Sequence, residues 1–361
     1  MTLAVNIAQG GSNNVTFRNK IINGACVIDQ RNAGASVTPT NGQYTLDRWN
    51  ANLSQSSKYT VQQNAGSVTP PAGFTKYLGV TSSSAYSVTS TDYFFLEQVI
   101  EGFNIADLAW GTASASAVTL SFQVYSSLTG TFGGVLANSA QNRNYPFSYT
   151  ISSANTWTQI SVTIAGDTSG TWLTTNAEGI RLRFGLGVGS TKSGTAGAWS
   201  ATQYFSATGA VSVVGTSGAT FYITGVQLEA GTTASPFEYR QYGTELALCQ
   251  RYYLVVVSNT GGAAKDVSMS YYYNGGQMGG NINFPVQMRT NPSFSSVSGT
   301  NYYANYASNT IDYVDVLLDG GASSLIMGSW YNTAQASGST GVAGFLRAVN
   351  AGCFAAWSAE L

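Results

Sequence analysis

The sequence predicts an all-β chain of two sandwich domains in series, joined by one short helix. Three observations carry this: apolar side chains recur at every second position wherever a pattern is clear, clusters of Gly, Ser, Thr and Asn separate the runs, and no alternation of strand-like with helix-like segments appears. A period of two sends successive side chains to opposite faces of a sheet, so each run can bury one face and wet the other.

The first clear element is Val118-Thr-Leu-Ser-Phe-Gln-Val124, in which every second residue is apolar, the mark of a half-buried strand. Ile160-Ser-Val-Thr-Ile164 repeats the pattern, and Ile180-Arg-Leu-Arg-Phe-Gly-Leu-Gly-Val188 does so with Arg181 and Arg183 on one outer face. Three such strands argue for antiparallel sheets. In Phe221-Tyr-Ile-Thr-Gly-Val-Gln-Leu228 the apolar parity runs through Phe221 and Ile223 and then switches to Val226 and Leu228, which predicts a bulge or strand end near Gly225.

One segment breaks the β rule. Gly243-Thr-Glu-Leu-Ala-Leu-Cys-Gln-Arg-Tyr-Tyr253 has a capping residue in Thr244, an acid early in Glu245 and helix formers behind them, and predicts one to three helical turns. Leu246, Cys249 and Tyr253 fall on one side and Leu248 and Tyr252 on another, so the helix is apolar nearly all round and must be covered. Beyond it Val267, Met269, Tyr271 and Tyr273 alternate, as do Ile282, Phe284 and Val286, although Pro285 marks that run as an edge strand or bulge. Phe345–Val349 and Cys353–Trp357 are expected to close the final sheet, because an apolar tail left free is an aggregation hazard.

Composition excludes several function classes. Only 9% of the 361 residues are charged, with 15 basic against 16 acidic, so the surface is hydroxyls and amides and offers no field for phosphate or anionic lipid. Nucleic acid is therefore excluded as a partner. The 43% apolar and 12% aromatic content is too high for a disordered chain. Met1–Gly10 contain neither a basic cluster nor a sustained apolar run, which reads as no signal peptide and no membrane insertion, with synthesis in a cytoplasm. Cys26, Cys249 and Cys353 are odd in number and far apart, with no Cys-x-x-Cys pair, and read as small buried hydrophobes.

The stretch Phe221-Tyr-Ile-Thr-Gly-Val-Gln-Leu-Glu-Ala-Gly231, continued by Ser235-Pro-Phe-Glu-Tyr-Arg240 and Glu245-Leu-Ala-Leu-Cys-Gln-Arg-Tyr-Tyr253, resembles a recurring class of phage and prophage tail-fibre and virion structural proteins. Ile21-Ile-Asn-Gly24 with Gln30-Arg31, Tyr44-Thr-Leu-Asp-Arg-Trp49, and Gly102 to Trp110 fit the same class, as do Gly170-Thr-Trp172, Ala196-Gly-Ala-Trp199 and Phe284-Pro-Val-Gln-Met-Arg-Thr-Asn-Pro292. The resemblance implies a jelly-roll β-sandwich similar to carbohydrate-binding modules, followed by a second, smaller β-sandwich. It implies no particular ligand. The expected organisation is an N-terminal arm over residues 1–20, the jelly roll over 21–240, a helical junction over 241–254 and the second sandwich over 255–361.

The chain has no histidine, which excludes Ser-His-Asp and Cys-His catalysis and imidazole zinc sites. Hydrolysis would have to use carboxylates, yet Glu97 and Glu101, the closest suggestive pair, stand about 13 Å apart on a strand face. Glycosidase pairs stand roughly 5 to 9.5 Å apart. Asp312, Asp315 and Asp319 lack the spacing of a calcium loop and read as turn and strand-edge residues, and Asp167 reads as a turn organiser.

Glycan binding fits better, since sugars are held by aromatic faces and by amides or guanidinium groups. Trp172, Trp199 and Tyr204 lie in or beside Gly-rich loops and are the candidate glycan-binding set, weighed against an ordinary core or interface role. Arg181 and Arg183 could form a ligand fork about 7 Å wide, although a solvated outer face is the preferred reading. The sequence thus predicts no enzyme and no cofactor, but a surface-displayed fibre or capsid decoration subunit of a virion that contacts other virion proteins and can hold host glycan. A polysaccharide-degrading tail spike is the alternative. A sheet-rich chain with few charges has little to protect its edges, so a homo-oligomer, a trimer, is expected, with contacts at Leu246, Leu248, Tyr252 and Tyr253.

Overall fold

The period-two segments do form strands, and the places where the alternation fails are the places where the chain bends or is covered. The computed structural model describes residues 17–333 and 335–361; Met1–Gly10 and most of the expected arm lie outside the described residues. The chain divides into two units between Gln241 and Tyr242.

The first unit contains β1 (Gln43–Leu46), β2 (Trp49–Leu53), β3 (Tyr59–Gln63), β4 (Leu78–Ser82), β5 (Tyr93–Glu101), β6 (Val118–Ser126), β7 (Gly130–Asn138), β8 (Asn144–Ile151), β9 (Thr158–Ile164), β10 (Glu178–Val188), β11 (Ser193–Gly194), β12 (Ser206–Ala207) and β13 (Thr220–Ala230). One sheet runs β1-β2-β5-β10-β7-β8 and the other β3-β4-β13-β6-β9. Without the outlying β1, β2 and β3, the halves are β4-β13-β6-β9 and β5-β10-β7-β8. First and last strands are neighbours and the chain crosses repeatedly between sheets, which is the double Greek key of a jelly roll. Between the sheets Phe184 is the hub, 5.0 Å from Phe122, 6.2 Å from Trp49 and 6.4 Å from Phe221, centroid to centroid.

Sequence and structure agree at Gly225. The pairing of β13 with β6 slips between Thr224 and Gln227, and Gly225 has φ +60° with a ring of Phe74 where its Cβ would be. β6 departs from expectation: Thr119 and Ser121 on its polar side are buried, Thr119 bonding the Gly231 carbonyl, so this strand is covered on both faces.

The residues Gln227–Arg240 form a tie. Glu229 accepts Ser235 N at 2.8 Å and Ser235 Oγ at 2.6 Å, and Gln227 Oε1 accepts Glu238 N at 2.8 Å. Glu238 in turn accepts the amides of Phe17 and Asn19, while Arg240 donates to the carbonyls of Asn19 and Ile21. The chain entering the jelly roll is therefore bonded directly to the chain leaving it. Residues 17–20, expected in the arm, belong to this tie, and Lys20 N bonds Leu228 O at 2.8 Å.

The second unit opens with α1 (Tyr242–Gln250) and continues through β14 (Tyr253–Asn259), β15 (Lys265–Asn274), β16 (Gln277–Asn283), β17 (Ser293–Ser296), β18 (Tyr303–Ala307), β19 (Thr310–Val314), β20 (Leu318–Asp319), β21 (Met327–Asn332), β22 (Ala343–Ala348) and β23 (Cys353–Ser358). The helix starts ahead of Thr244, which lies inside the first turn rather than at the cap. A sheet β14-β23-β17 and a larger sheet β19-β18-β22-β15-β16-β21-β20 enclose a core containing Val257, Tyr272, Tyr303, Trp330 and Leu346. The final strands close different sheets, β22 the larger and β23 the centre of the smaller.

Two expectations are corrected here. Pro285 lies beyond the end of β16, which is an interior strand paired on both sides, so its missing N–H costs no ladder bond. In β15 the alternating residues Met269, Tyr271 and Tyr273 are 58%, 46% and 67% exposed, while Ser270 and Tyr272 face the core. Of the alternating apolar set only Val267, at a register shift, packs against the core, and the other three side chains point outward.

Candidate functional site

Seven polar or charged side chains and three rings converge on the outer face of the six-stranded sheet. Two glycines make this possible. At Gly133 a Cβ would lie 2.7 Å from Ala207 N, and at Gly185 it would lie 2.6 Å from Ser206 Oγ, so only bare backbone lets β12 lie flat on the sheet. That contact places Phe205 beside Phe95 and Tyr93 of β5, at centroid distances of 5.0 and 5.1 Å.

Beneath the rings lies an ion triad. Glu97 of β5 stands opposite Arg183 of β10 in the sheet, and its carboxylate takes Arg183 Nε at 2.6 Å and Arg181 Nη1 at 2.9 Å. Arg181 also bonds Glu178. Arg183 is 1% exposed, with its guanidinium 5.1 Å from the Phe95 centroid and 4.9 Å from that of Phe205. Burial pushes the Arg183 guanidinium below its ordinary value, with Glu97 opposing that shift. Burial acts the same way on Arg181, but Glu97 and Glu178 outweigh it and raise that guanidinium. The two arginines share the outer face, as expected, but Arg183 is not solvated, enclosed by Phe205 and the Tyr204 carbonyl of the strap over residues 189–207 and by the opposing carboxylate, while Arg181 is partly exposed.

The rim is polar and open. Gln141 Oε1 accepts Arg183 Nη2 at 2.8 Å and Gln203 Nε2 at 2.9 Å, while Lys192 Nζ lies 3.4 Å from Gln203 Oε1. With Asn52 and half-exposed Tyr93 these groups bound a cleft of about 310 Å³. Three cations (Arg181, Arg183, Lys192) meet two carboxylates (Glu97, Glu178), a local balance of one positive charge. Glu97 is the only carboxylate among the described residues lining the cleft, and both its oxygens are engaged by guanidinium groups.

The sequence-predicted aromatic set separates. Trp172 (7% exposed) and Trp199 pack edge to face with Trp110, at 4.6 Å for Trp110 and Trp172 and 5.5 Å for Trp172 and Trp199. Their indole N–H groups are occupied, Trp172 by Asp167 and the Ser169 carbonyl and Trp199 by the Ala165 carbonyl. Asp167 therefore does organise a turn, and it also receives Arg143 Nε and Nη2 at 2.7 and 2.6 Å. Tyr204 adjoins the cleft: its ring covers Gly194 and its carbonyl lies 3.4 Å from Arg183 Nη1.

Sequence reasoning passed over Tyr93, Phe95, Phe205, Gln141 and Gln203. A usable signal was present in Tyr93-Phe-Phe95, a strand with rings on both faces, lying four residues ahead of the parity that carries Glu97 and Glu101.

In the second unit Tyr252 and Tyr253 are buried within the chain at 0% and 8% exposure, whereas Leu246 and Leu248 are half-buried. Asp312 takes Tyr272 Oη and Ser337, Asp315 takes Asn301 N, and Asp319 takes Gly321 N; the three do not converge. All three cysteines are buried and unbridged. No helix of the described residues is long and apolar enough to cross a membrane.

No family model matches this sequence, and no curated protein does. Solved structures with some likeness include the enzymatically active domain of bacteriophage CBA120 tailspike protein 4, at 12% identity and TM-score 0.34, covering 59% of this chain and 22% of that one. The chain thus matches about a fifth of the tailspike's length. A family 11 carbohydrate-binding module from Clostridium thermocellum has 11% identity and TM-score 0.29, covering 55% and 98%. The N-terminal cellulose-binding domain of a Cellulomonas fimi β-1,4-glucanase has 16% identity and TM-score 0.26, covering 49% and 90%. At these values the likenesses carry no argument about ligand or reaction.

Proposed function

We propose that this chain is a non-catalytic structural subunit of a bacteriophage virion, displayed as a tail fibre or capsid decoration, whose jelly roll holds host-surface glycan in the cleft between Tyr93 and Gln203. The observation that carries the binding reading is the cleft itself: a ring for the C–H face of a sugar, amides of Asn52, Gln141 and Gln203 for its hydroxyls, and a floor locked by the Arg181–Glu97–Arg183 triad. A locked floor favours binding without turnover. A general acid or nucleophile must have a carboxylate oxygen available to the sugar, and Glu97 gives both of its oxygens to arginine.

The virion role is supported by the signature over residues 221–253 and by the tie it forms. A displayed jelly roll is pulled where the chain enters and leaves it, and the Glu238 and Arg240 bonds join those two segments directly. Weak single-site affinity then becomes firm attachment through copy number. Self-association as a trimer belongs to the same reading, with half-buried Leu246 and Leu248 at the contact.

Affinity electrophoresis of the full chain through host-derived polysaccharide is the test. Retardation is expected, and it should fall at least fivefold when Tyr93→Ala and Gln203→Ala are combined. Unretarded migration, or shortening of the polysaccharide during the run, would overturn the reading. Antibody labelling of intact particles locates the subunit on tail or head, and absence of label on any particle sinks the virion assignment.

A further inference from the structure

The large sheet of the second unit carries a groove on its outer face. Tyr271 of β15 is paired in register with Gly279 of β16, and Gly279 is paired on its other side with Tyr331 of β21. Two tyrosines therefore flank a strand position that has no side chain. Their strands are two strand spacings apart, about 9.5 Å, a gap that admits a pyranose ring with carbon contacts of about 3.5–4 Å on either side. A side chain at Gly279 would fill that floor.

The rest of the groove has the same composition. Tyr273 is 67% exposed and stands about 7 Å further along β15. Asn281 is exposed and lies opposite Ser329, with Gln277 at the other end, so hydrogen-bonding groups alternate with rings along the groove. Its volume is about 800 Å³, within the usual range for small-ligand sites. Asp319 is the only ionised group among the described residues lining it, and it is fixed at the rim by Gly321 N at 2.9 Å.

We infer that this groove is a second saccharide site, selective for neutral oligosaccharides. Within the groove, rings separated by bare backbone and amides present C–H surface in patches one sugar wide, and the exposed pair Met269 and Phe345 continues the apolar face beyond it. Asp319, with no cation in the groove to offset it, repels acidic sugars. The inference stands independently of the jelly-roll cleft, which lies in the other unit and carries the opposite local charge.

Saturation-transfer NMR of the full chain with maltotetraose, cellotetraose and chitotetraose, and with an oligogalacturonate of equal length, tests it. In the Tyr93→Ala, Gln203→Ala protein, whose jelly-roll cleft is disabled, transfer to at least one neutral tetrasaccharide is expected, with none to the galacturonate. In that background Tyr271→Ala should raise Kd at least tenfold and Asn281→Ala about threefold. Both groove residues are solvent-exposed, so their replacement leaves folding intact, and thermal melts check this. The inference falls if no neutral tetrasaccharide shows transfer, if the transfer responds to Tyr93→Ala instead of Tyr271→Ala, or if Tyr271→Ala changes the sedimentation of the protein and leaves transfer unchanged. That last result would make the face a contact between copies.

Discussion

Replacing Glu97 by Gln tests the ion triad that forms the floor of the cleft. The carboxylate accepts Arg183 Nε at 2.6 Å and Arg181 Nη1 at 2.9 Å, and the residue is 2% exposed. Charge-assisted bonds contribute about 1.5–3 kcal/mol each, and an amide retains part of one of them. Arg181 keeps Glu178, but Arg183 is left with only Gln141 and the Tyr204 carbonyl, a buried cation without an anion. Removing one partner of a buried pair costs about 3–5 kcal/mol. For a unit of this size each kcal/mol lowers Tm by roughly 2–4 °C, so the jelly-roll transition should drop by roughly 10 °C.

Scanning calorimetry of the full chain resolves this, and the loss should be similar in low and high salt because buried pairs are poorly screened. Pairing Glu97→Leu with Arg183→Met should recover at least half of it, since an apolar residue can fill the space between Phe95 and Phe205. A Glu97→Gln melt within about 2 °C of the parent would refute the argument.

Four further outcomes are expected. Asp92 sits below its ordinary value of 3.8, at about 2, because bonds from Thr89, Ser54 and Tyr86 outweigh the burial that would raise it. A lowered carboxylate stabilises the fold above its unfolded pKa, so stability should fall as pH drops from about 4 to about 2, and Asp92→Asn should flatten that limb in acid denaturation curves. Burial pushes the Cys26 thiol up to about 12, and Cys249 and Cys353 are also buried. A thiol reagent at pH 8 should therefore label none of the three in native protein and all three in guanidinium. Gly225→Ala should cost at least about 1–2 kcal/mol in urea titration, since it adds a left-handed penalty to a 2.5 Å encounter with the Phe74 ring. Glu238→Gln should weaken the tie to Phe17 and Asn19 by about 1–2 kcal/mol and speed proteolysis in residues 17–21 before the core opens.

Local sequence settled more of the fold than of the sites. Alternation at Val118–Val124, Ile160–Ile164 and Ile180–Val188 gave strands because a two-residue period is a property of the backbone alone. The parity switch at Gly225 gave the bulge for the same reason. The tie over Gln227–Arg240 could be seen as a signature, but its partners, Phe17, Asn19 and Ile21, are more than two hundred residues away in the chain. Trp172 and Trp199 stood in Gly-rich loops, yet loop composition cannot tell whether a loop folds back, and these rings pack with Trp110.

The sequence by itself determined the class of backbone, the low charge and the absence of imidazole chemistry, because each depends on composition or on spacing within one segment. Only the tertiary structure decided which face of a strand is wet. Arg183 became buried because β12 crosses its face on Gly133 and Gly185, and Tyr271 became exposed because Ser270 and Tyr272 took the core side of β15. Burial is a property of what lies across from a residue, and in a jelly roll most of what lies across comes from distant sequence.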